Sequence, residues 1–385
     1  MNDAPVTTAG SSFGKVAVVH DWLTGMRGGE SVLEGILDVL PTAEIFTLFH
    51  YRGSVSAKIE SRVIHTSSLQ SLAARASDYR RLLPLFPRAA RQWDFRDYDL
   101  IVSSSHCVAK GVDAKGRPHF CYCHTPMRYI WDRFDDYFPR SKPLQRAAAM
   151  SIAPWLRRWD VKTAEEVTRF AANSTFVRDR IRRHYDRDAG VIHPFVDDAF
   201  LDAPLEDLRE DYHVVVSALV PYKRVDVAVA AAVASGRRLV VIGGGPLLEE
   251  LRARGGHNVE ILGSVSKDRI IERLSRARSL ILPGVEDFGI TPLEAMALGT
   301  PVVALGEGGV RDSVKDGVTG IFYERPEVDA LRRAMDEVES RRWDRPAIRE
   351  HARTFSRTRF EEQIRAAVSE VARLPATGNR QPASE

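Results

Sequence analysis

The stretch Ser279-Leu280-Ile281-Leu282-Pro283-Gly284-Val285-Glu286-Asp287-Phe288-Gly289-Ile290-Thr291-Pro292-Leu293-Glu294-Ala295-Met296-Ala297-Leu298-Gly299-Thr300-Pro301-Val302-Val303-Ala304 reads as strand, loop, helix and strand in succession. Ser279 to Leu282 is a short apolar run closed by Pro-Gly, and Pro301 to Ala304 is a second one. Between them Phe288-Gly289-Ile290-Thr291 exposes backbone N–H groups, and Pro292 suits a helix start because its missing N–H is not needed there. Glu294, two residues on, is then expected in the first helical turn, near the end where a ligand can sit.

The same alternation continues outward in both directions. Upstream apolar runs are Lys15–Val19, Ile45–Phe49, Leu100–Val102, His119–Tyr122, Arg169–Ala172, His213–Val216, Leu239–Ile242 and Val259–Leu262, and Gly320–Tyr323 lies downstream. Each is followed by a turn and a longer helical pattern, which predicts parallel sheets with crossover helices. Two doubly wound α/β domains follow, with a hinge in the acidic, proline-containing stretch Asp197 to Tyr212. The expected divisions are 1–14 (flexible), 15–197 (first domain), 198–355 (second domain), 356–373 (a final helix returning to the first domain) and 374–385 (flexible). Open parallel sheets bind ligands beyond the carboxyl ends of their strands, so two such domains facing across a cleft suit a two-substrate enzyme.

Composition narrows the classes. The chain has 385 residues, 44% apolar and 28% charged, which is enough for about two cores at the usual ~100 to 200 residues per domain. Lys plus Arg (55) against Asp plus Glu (52) leaves +3, too balanced for wrapping nucleic acid. Cys107, Cys121 and Cys123 make neither a disulfide scaffold nor a zinc ligand set, and they fit a reducing cytoplasm. No run of ~18 apolar residues spans a bilayer. The N-terminus lacks the basic start and apolar stretch of a signal peptide. Leu374-Pro375-Ala376-Thr377-Gly378 looks like a sorting signal, but no hydrophobic segment follows it.

The segment from Glu286 to Glu294 resembles the Glu-x7-Glu motif of retaining glycosyltransferases of family 4, which have the two-domain GT-B fold. The resemblance implies that Glu286 meets the donor sugar, Glu294 holds the nucleotide ribose, and the backbone of Phe288, Gly289, Ile290 and Thr291 meets sugar or phosphate. Ser217-Ala218-Leu219-Val220-Pro221-Tyr222-Lys223-Arg224-Val225-Asp226 is similar to the family's diphosphate-binding stretch, with Lys223 as the cation. Many relatives carry an arginine where this chain has Ala218, and Arg224 is the candidate replacement. A fixed cation is most useful where the leaving diphosphate gains charge.

Glycine turns complete the donor site that the resemblance implies. Val241-Ile242-Gly243-Gly244-Gly245-Pro246 would wall the nucleotide through Gly244, Leu262–Val265 would lie near the base, and Gly306–Asp312 would line base or sugar. In the first half, His20-Asp21-Trp22-Leu23 leads to Gly25-Met26-Arg27-Gly28-Gly29-Glu30. There Gly28 and Gly29 let the backbone approach a ligand at a helix start, which favours an anion. His124, in His124-Thr125-Pro126-Met127-Arg128-Tyr129-Ile130-Trp131-Asp132, would touch donor sugar and acceptor hydroxyl. This string resembles bacterial mannosyltransferases of O-antigen and exopolysaccharide synthesis that use GDP-mannose.

The stretch from Arg75 to Arg96, with Arg80, Arg81, Arg88, Arg91 and Trp93, carries a net +4 among leucines and aromatics. Such a surface can lie on an anionic membrane and receive a lipid-linked acceptor. A second basic run, Arg140 to Arg183, includes Trp155, Arg157, Arg158 and Trp159. Asp186-Arg187-Asp188 reads as a solvated loop, and neither an essential metal nor another cofactor is expected.

The resulting expectation is a cytoplasmic enzyme, peripheral on the inner membrane. It moves mannose from GDP-mannose, with retention, to a hydroxyl of a lipid-linked saccharide. The alternatives are a UDP-sugar donor, a sugar-nucleotide epimerase or hydrolase on the same scaffold, and a non-catalytic nucleotide-sugar sensor.

Overall fold

The computed structural model describes residues 13–75, 78–206 and 209–375. Most of the loose ends expected at 1–14 and 374–385, and most of the sorting-like segment, lie outside the described residues, and Phe13, within the first of them, is buried. Two compact units divide the chain. Described residues within 1–173, 178–192 and 361–385 form the first, and 174–177 with 193–360 form the second. These limits run a few residues from the expected 197 and 355. His193 stacks on Phe288 at 5.4 Å, and Phe195 meets Phe360 at 5.1 Å, so the residues just before the expected hinge pack within the second unit.

The first unit holds seven parallel strands in the order β3-β2-β1-β4-β5-β6-β7. They are β1 (Val16–His20), β2 (Glu44–Thr47), β3 (Ile64–Thr66), β4 (Leu100–Ser105), β5 (His119–Cys123), β6 (Arg169–Ala172) and β7 (Ala189–Val191). The second holds six, in the order β10-β9-β8-β11-β12-β13. These are β8 (His213–Val216), β9 (Leu239–Ile242), β10 (Val259–Gly263), β11 (Leu280–Leu282), β12 (Val302–Leu305) and β13 (Gly320–Tyr323). Both sheets are Rossmann-like. β1, β4, β5, β9, β11 and β12 are buried along their whole length, as expected for strands covered by helices on both faces. β3 and β7 were not anticipated: three residues each at a sheet edge give no apolar run to read.

Strand order reverses between β1 and β4 in the first sheet, and between β8 and β11 in the second. At such a switch point the connections leave to opposite faces and open a crevice beyond the strand ends. The residues following β1, β4, β8 and β11 are therefore the ones placed to meet a ligand.

The helix Ile290–Ala297 shows how the second crevice is made rigid. It buries Pro292, Leu293, Ala295, Met296 and Ala297 and packs against the helix Arg345–Arg353. One fully buried leucine such as Leu293 contributes roughly 1.5–3 kcal/mol. At its carboxyl end, Arg209 donates to the carbonyl of Gly299 at 2.6 Å and Arg345 to that of Leu298 at 3.2 Å, cations where the helix dipole wants them. The helix begins at Ile290, two residues before Pro292. Proline remains compatible there because first-turn N–H groups have no partner inside the helix. Glu294 is consequently the fifth helical residue, in the second turn rather than the first.

Candidate functional site

In the second unit, the β8 and β11 loops meet through backbone. A Cβ on Gly284 would lie 2.8 Å from the carbonyl carbon and oxygen of Lys223, so only glycine permits this approach. The contact brings the ammonium of Lys223 onto the carboxylate of Glu286, an ion pair in which each side chain is 15% exposed. The two residues assigned to diphosphate and sugar are thus paired with each other. The Glu286 loop is fixed from its other side too. Gly309 donates its N–H to the Glu286 carbonyl at 2.8 Å, and a Cβ on Gly309 would sit 2.0 Å from the Asp287 carbonyl oxygen.

Further anchors come from residues that sequence reasoning did not single out. Ser174 donates to the Asp287 carbonyl, and Thr175 donates through its N–H and hydroxyl to Asp312 at 2.6 and 2.5 Å. Asp312, expected to line a ligand pocket, is engaged as a structural acceptor. Phe288 is buried at 2% exposure and stacks on His193, so this residue offers only its backbone to a ligand. Gly289, at φ +86°, ends that loop and precedes Ile290 and Thr291 at the helix start, where no side chain caps the N-terminus.

Glu294 is half-buried, and no protein hydrogen bond reaches its carboxylate among the described residues. Burial, with the charge of Asp197 adding to it, pushes its pKa up to about 7, and Lys267 only partly opposes the shift. An underserved carboxyl beside uncapped N–H groups can take hydroxyl donors and an anion together. Arg224 holds a left-handed backbone (φ 51°, ψ 34°) and places its guanidinium 3.3 Å from Asp226. This conformation is uncommon outside glycine and costs on the order of 1 kcal/mol. The glycine turn after β9 needs Gly243 and Gly245, at φ +140° and +155°. A Cβ on Gly244 would meet only the Ser264 hydroxyl, at 2.9 Å.

In the first unit, the switch point gathers three histidines. His20 ends β1, paired in register with Ser104 of β4; His106 follows β4, and His124 follows β5. The Ser104 hydroxyl lies 3.1 Å from His20 Nδ1 and 2.8 Å from His124 Nε2. His20 Nε2 faces Glu30 at 3.8 Å, and Glu30 accepts the Arg27 N–H at 3.0 Å at the head of the helix Gly28–Val39. Gly29 lies beside this group: a Cβ there would be 3.8 Å from His20 Cε1 and 4.0 Å from His124 Cε1. Burial, then the charges of His106, His20 and Arg128, drives the His124 pKa well below its usual range, so the ring is neutral. Asp21 is structural: fully buried, it accepts the N–H groups of His106, Cys107, Val108 and Ala109 at 2.7 to 2.9 Å.

The expected membrane residues separate. Arg80, Arg81 and Arg88 are exposed, near Leu85 at 46% exposure. Arg91 instead pairs with Glu166 at 2.9 and 3.0 Å, and Trp93 packs on Phe46 at 5.7 Å, so these two hold the fold together. Asp186 and Asp188 flank an open groove of about 630 Å³ that also takes in Arg169 and Glu370. This groove lies at the starts of β6 and β7, away from the ligand ends of the strands, and its arginines and carboxylates offset one another. Arg187 donates to the Ala164 carbonyl at 2.7 Å. The three cysteines are buried and unbridged. Among the described residues no group of three or more His, Cys, Asp or Glu could hold a metal ion.

Comparison with known proteins matches both halves. Residues 45–200 fit the family model for glycosyltransferase family 4, and residues 197–355 the model for glycosyl transferases group 1. Together the two glycosyltransferase models run from residue 45 to residue 355. It is 32% identical over 219 residues to alpha-D-kanosaminyltransferase of Streptomyces kanamyceticus, covering 49% of this chain and 56% of that one. It is 31% identical over 195 residues to the GDP-mannose-dependent alpha-(1-6)-phosphatidylinositol monomannoside mannosyltransferase of Mycobacterium tuberculosis, covering 43% and 51%. The chain thus spans about half the length of these curated relatives. The crystal structure of Anabaena HepE in complex with UDP and glucose matches 92% of this chain and 99% of its own at TM-score 0.66 and 18% identity, the GT-B fold. Lys223, Glu286 and Glu294 lie in the group 1 region, and His124 and Ser104 in the family 4 region.

Proposed function

We propose that the protein is a retaining hexosyltransferase that moves mannose from GDP-mannose to a hydroxyl of a lipid-linked saccharide in cell-surface polysaccharide synthesis. The observation carrying this reading is the Lys223–Glu286 pair at the β8/β11 switch point, with the underserved Glu294 in the second turn of the next helix. An arriving diphosphate competes with Glu286 for the Lys223 ammonium and leaves the carboxylate free for sugar hydroxyls. Attack occurs on the face the leaving group departs from. The bond from the anomeric carbon to phosphate oxygen breaks, the bond to the acceptor oxygen forms, and the acceptor proton passes to the departing phosphate. Glu286 positions the sugar through an oxocarbenium-like state rather than bonding to it. Lys223 and the uncapped helix start stabilise the diphosphate, so no metal is required. The mannose donor is supported by the 31% identity to a GDP-mannose-dependent relative.

Calorimetry of the purified protein with GDP, UDP, ADP and dTDP in EDTA tests donor and metal together. Selective GDP binding at micromolar affinity, followed by transfer from GDP-mannose with the anomeric configuration retained, is the expected result. UDP selectivity would overturn the donor, and loss of binding in EDTA the metal-free site.

The same reading places the protein peripherally on the cytoplasmic face of the inner membrane. No helix of the described residues is long and apolar enough to cross a membrane. One face of the helix Pro143–Glu165 nevertheless exposes Leu144 (88%) and Trp155 (47%) beside exposed Lys142 and Arg158, and no carboxylate lies between Asp136 and Asp160. The opposite face of that helix buries Ala153, Leu156 and Asp160. Sedimentation with phosphatidylglycerol vesicles, but not phosphatidylcholine, is expected. Leu144→Ser with Trp155→Ser should weaken it by roughly tenfold or more, since apolar burial and cations act together at such surfaces. Equal binding to both lipids would sink the charge argument.

A further inference from the structure

We infer that Glu30, His20 and Ser104 form a chain of positioning residues that holds His124 as its Nε2–H tautomer and presents the Nδ1 lone pair to a sugar hydroxyl. This inference rests on the transferase reading for its hydroxyl partner, but the chain itself stands on geometry. Ser104 bridges the two rings, at 3.1 Å from His20 Nδ1 and 2.8 Å from His124 Nε2. A hydroxyl has one proton, so it donates to one imidazole and accepts from the other. Which way it points decides which His124 nitrogen carries the proton.

Glu30 sets that direction. Its carboxylate lies 3.8 Å from His20 Nε2, beyond hydrogen-bond reach but close enough for electrostatic attraction, and His20 Nε2 is buried with no hydrogen-bond partner. With a single proton on the ring, that proton sits best on Nε2, toward the negative charge. His20 Nδ1 is left as an acceptor, Ser104 donates to it, and the Ser104 oxygen accepts the Nε2–H of His124. The remaining His124 nitrogen, Nδ1, has no protein partner among the described residues. A doubly protonated His20 would reverse every bond and force Nδ1–H on His124. The two outcomes are therefore distinguishable at a single ring.

The surroundings leave His124 little freedom otherwise. His106 lies 6.2 Å away ring to ring and Tyr122 5.2 Å away, and Arg128 supplies a further nearby charge. The His124 backbone is fixed at both ends, its N–H donating to the Ser105 carbonyl at 2.8 Å and its carbonyl accepting from Asn173 at 3.0 Å. Glu30 is held below the usual carboxylate range: burial pushes it up, but the neighbouring His20, a backbone hydrogen bond and His106 together more than offset this. It is therefore ionised at neutral pH, as the argument requires.

Long-range proton–nitrogen NMR on the ¹⁵N-histidine-labelled protein reads the tautomer directly, with His124→Asn supplying the assignment. The expected wild-type spectrum shows a protonated Nε2 and an unprotonated Nδ1 on His124. Ser104→Ala and Glu30→Gln should each introduce the Nδ1–H form. Both should lower kcat by ~10–100-fold, the scale of a misplaced catalytic contact, with GDP affinity unchanged. Ser104→Thr, which keeps the hydroxyl, should restore both readings. An Nδ1–H tautomer in the wild type, or Ser104→Ala with an unaltered tautomer, overturns the inference. The expected tautomer combined with no transfer from any nucleotide sugar would overturn the transferase reading while sustaining the chain.

Discussion

Lys223→Ala is expected to lower kcat/KM for sugar transfer by roughly a thousandfold, the upper range for removing one preorganised charge-stabilising donor. Glu286→Gln should lower kcat by a similar factor yet tighten binding of the free nucleoside diphosphate by about tenfold, because it removes the anion that competes for the ammonium. The opposite signs follow from the ion pair, in which both side chains are only 15% exposed. Losing the lysine also strands a carboxylate, which costs up to ~3–5 kcal/mol for a buried pair, so Lys223→Ala should melt earlier. The double variant should recover most of that stability and none of the activity. Steady-state kinetics, calorimetry with the diphosphate and thermal melts separate the three effects. Weaker diphosphate binding by Glu286→Gln would show that Glu286 assists the anion rather than competing with it.

The architecture was legible because parallel sheets announce themselves as separated, largely apolar runs. β8 through β13 each correspond to a mostly apolar run of four residues within a residue of their ends. β3 and β7 escaped for the converse reason: Ile64-His65-Thr66 and Ala189-Gly190-Val191 are too short and too mixed to differ from loop. The start of the Ile290–Ala297 helix was misjudged through one residue. Pro292 is permitted anywhere in a first turn, so it sets a limit on where the helix begins without fixing it.

The site was only half legible. Lys223, Glu286, Glu294 and His124 stand in motifs, whereas what links them is not local in sequence. Lys223 meets Glu286 from 63 residues away through Gly284, and Ser104 joins rings 84 and 20 residues distant. A signal existed: the run Ser103-Ser104-Ser105 closes β4, an otherwise apolar and fully buried strand, and hydroxyls there must find partners. Arg91 and Trp93 failed in the other direction, since composition shows that cations and aromatics are near one another but not whether they face water or Glu166.

Glu294→Gln is expected to stabilise the free protein above neutral pH while weakening nucleotide binding by roughly 10–100-fold, the loss of a hydrogen bond to a charged group. The stability half follows from the sign of the shift. Folding raises this carboxyl from 4.5 to about 7, chiefly by burial and secondarily through Asp197, so the fold prefers the protonated form. Stability is complete below 4.5, falls as pH climbs toward 7, and levels off beyond it with a penalty on the order of 3 kcal/mol. Glutamine has no charge to desolvate, so its melting temperature at pH 8 should exceed that of the wild type, and the decline between pH 5 and 8 should flatten. The binding half runs oppositely, because ribose hydroxyls donate to the ionised form. Wild-type affinity should rise with pH until about 7, with a proton released on binding that calorimetry in buffers of different ionisation enthalpy would count. A less stable Glu294→Gln at pH 8 would mean that the carboxylate is already served inside the fold, and pH-independent nucleotide binding would remove Glu294 from the site. If both halves hold, the protein keeps a destabilising carboxyl in the second turn of this helix because its ligand, and not its own chain, completes the hydrogen bonding.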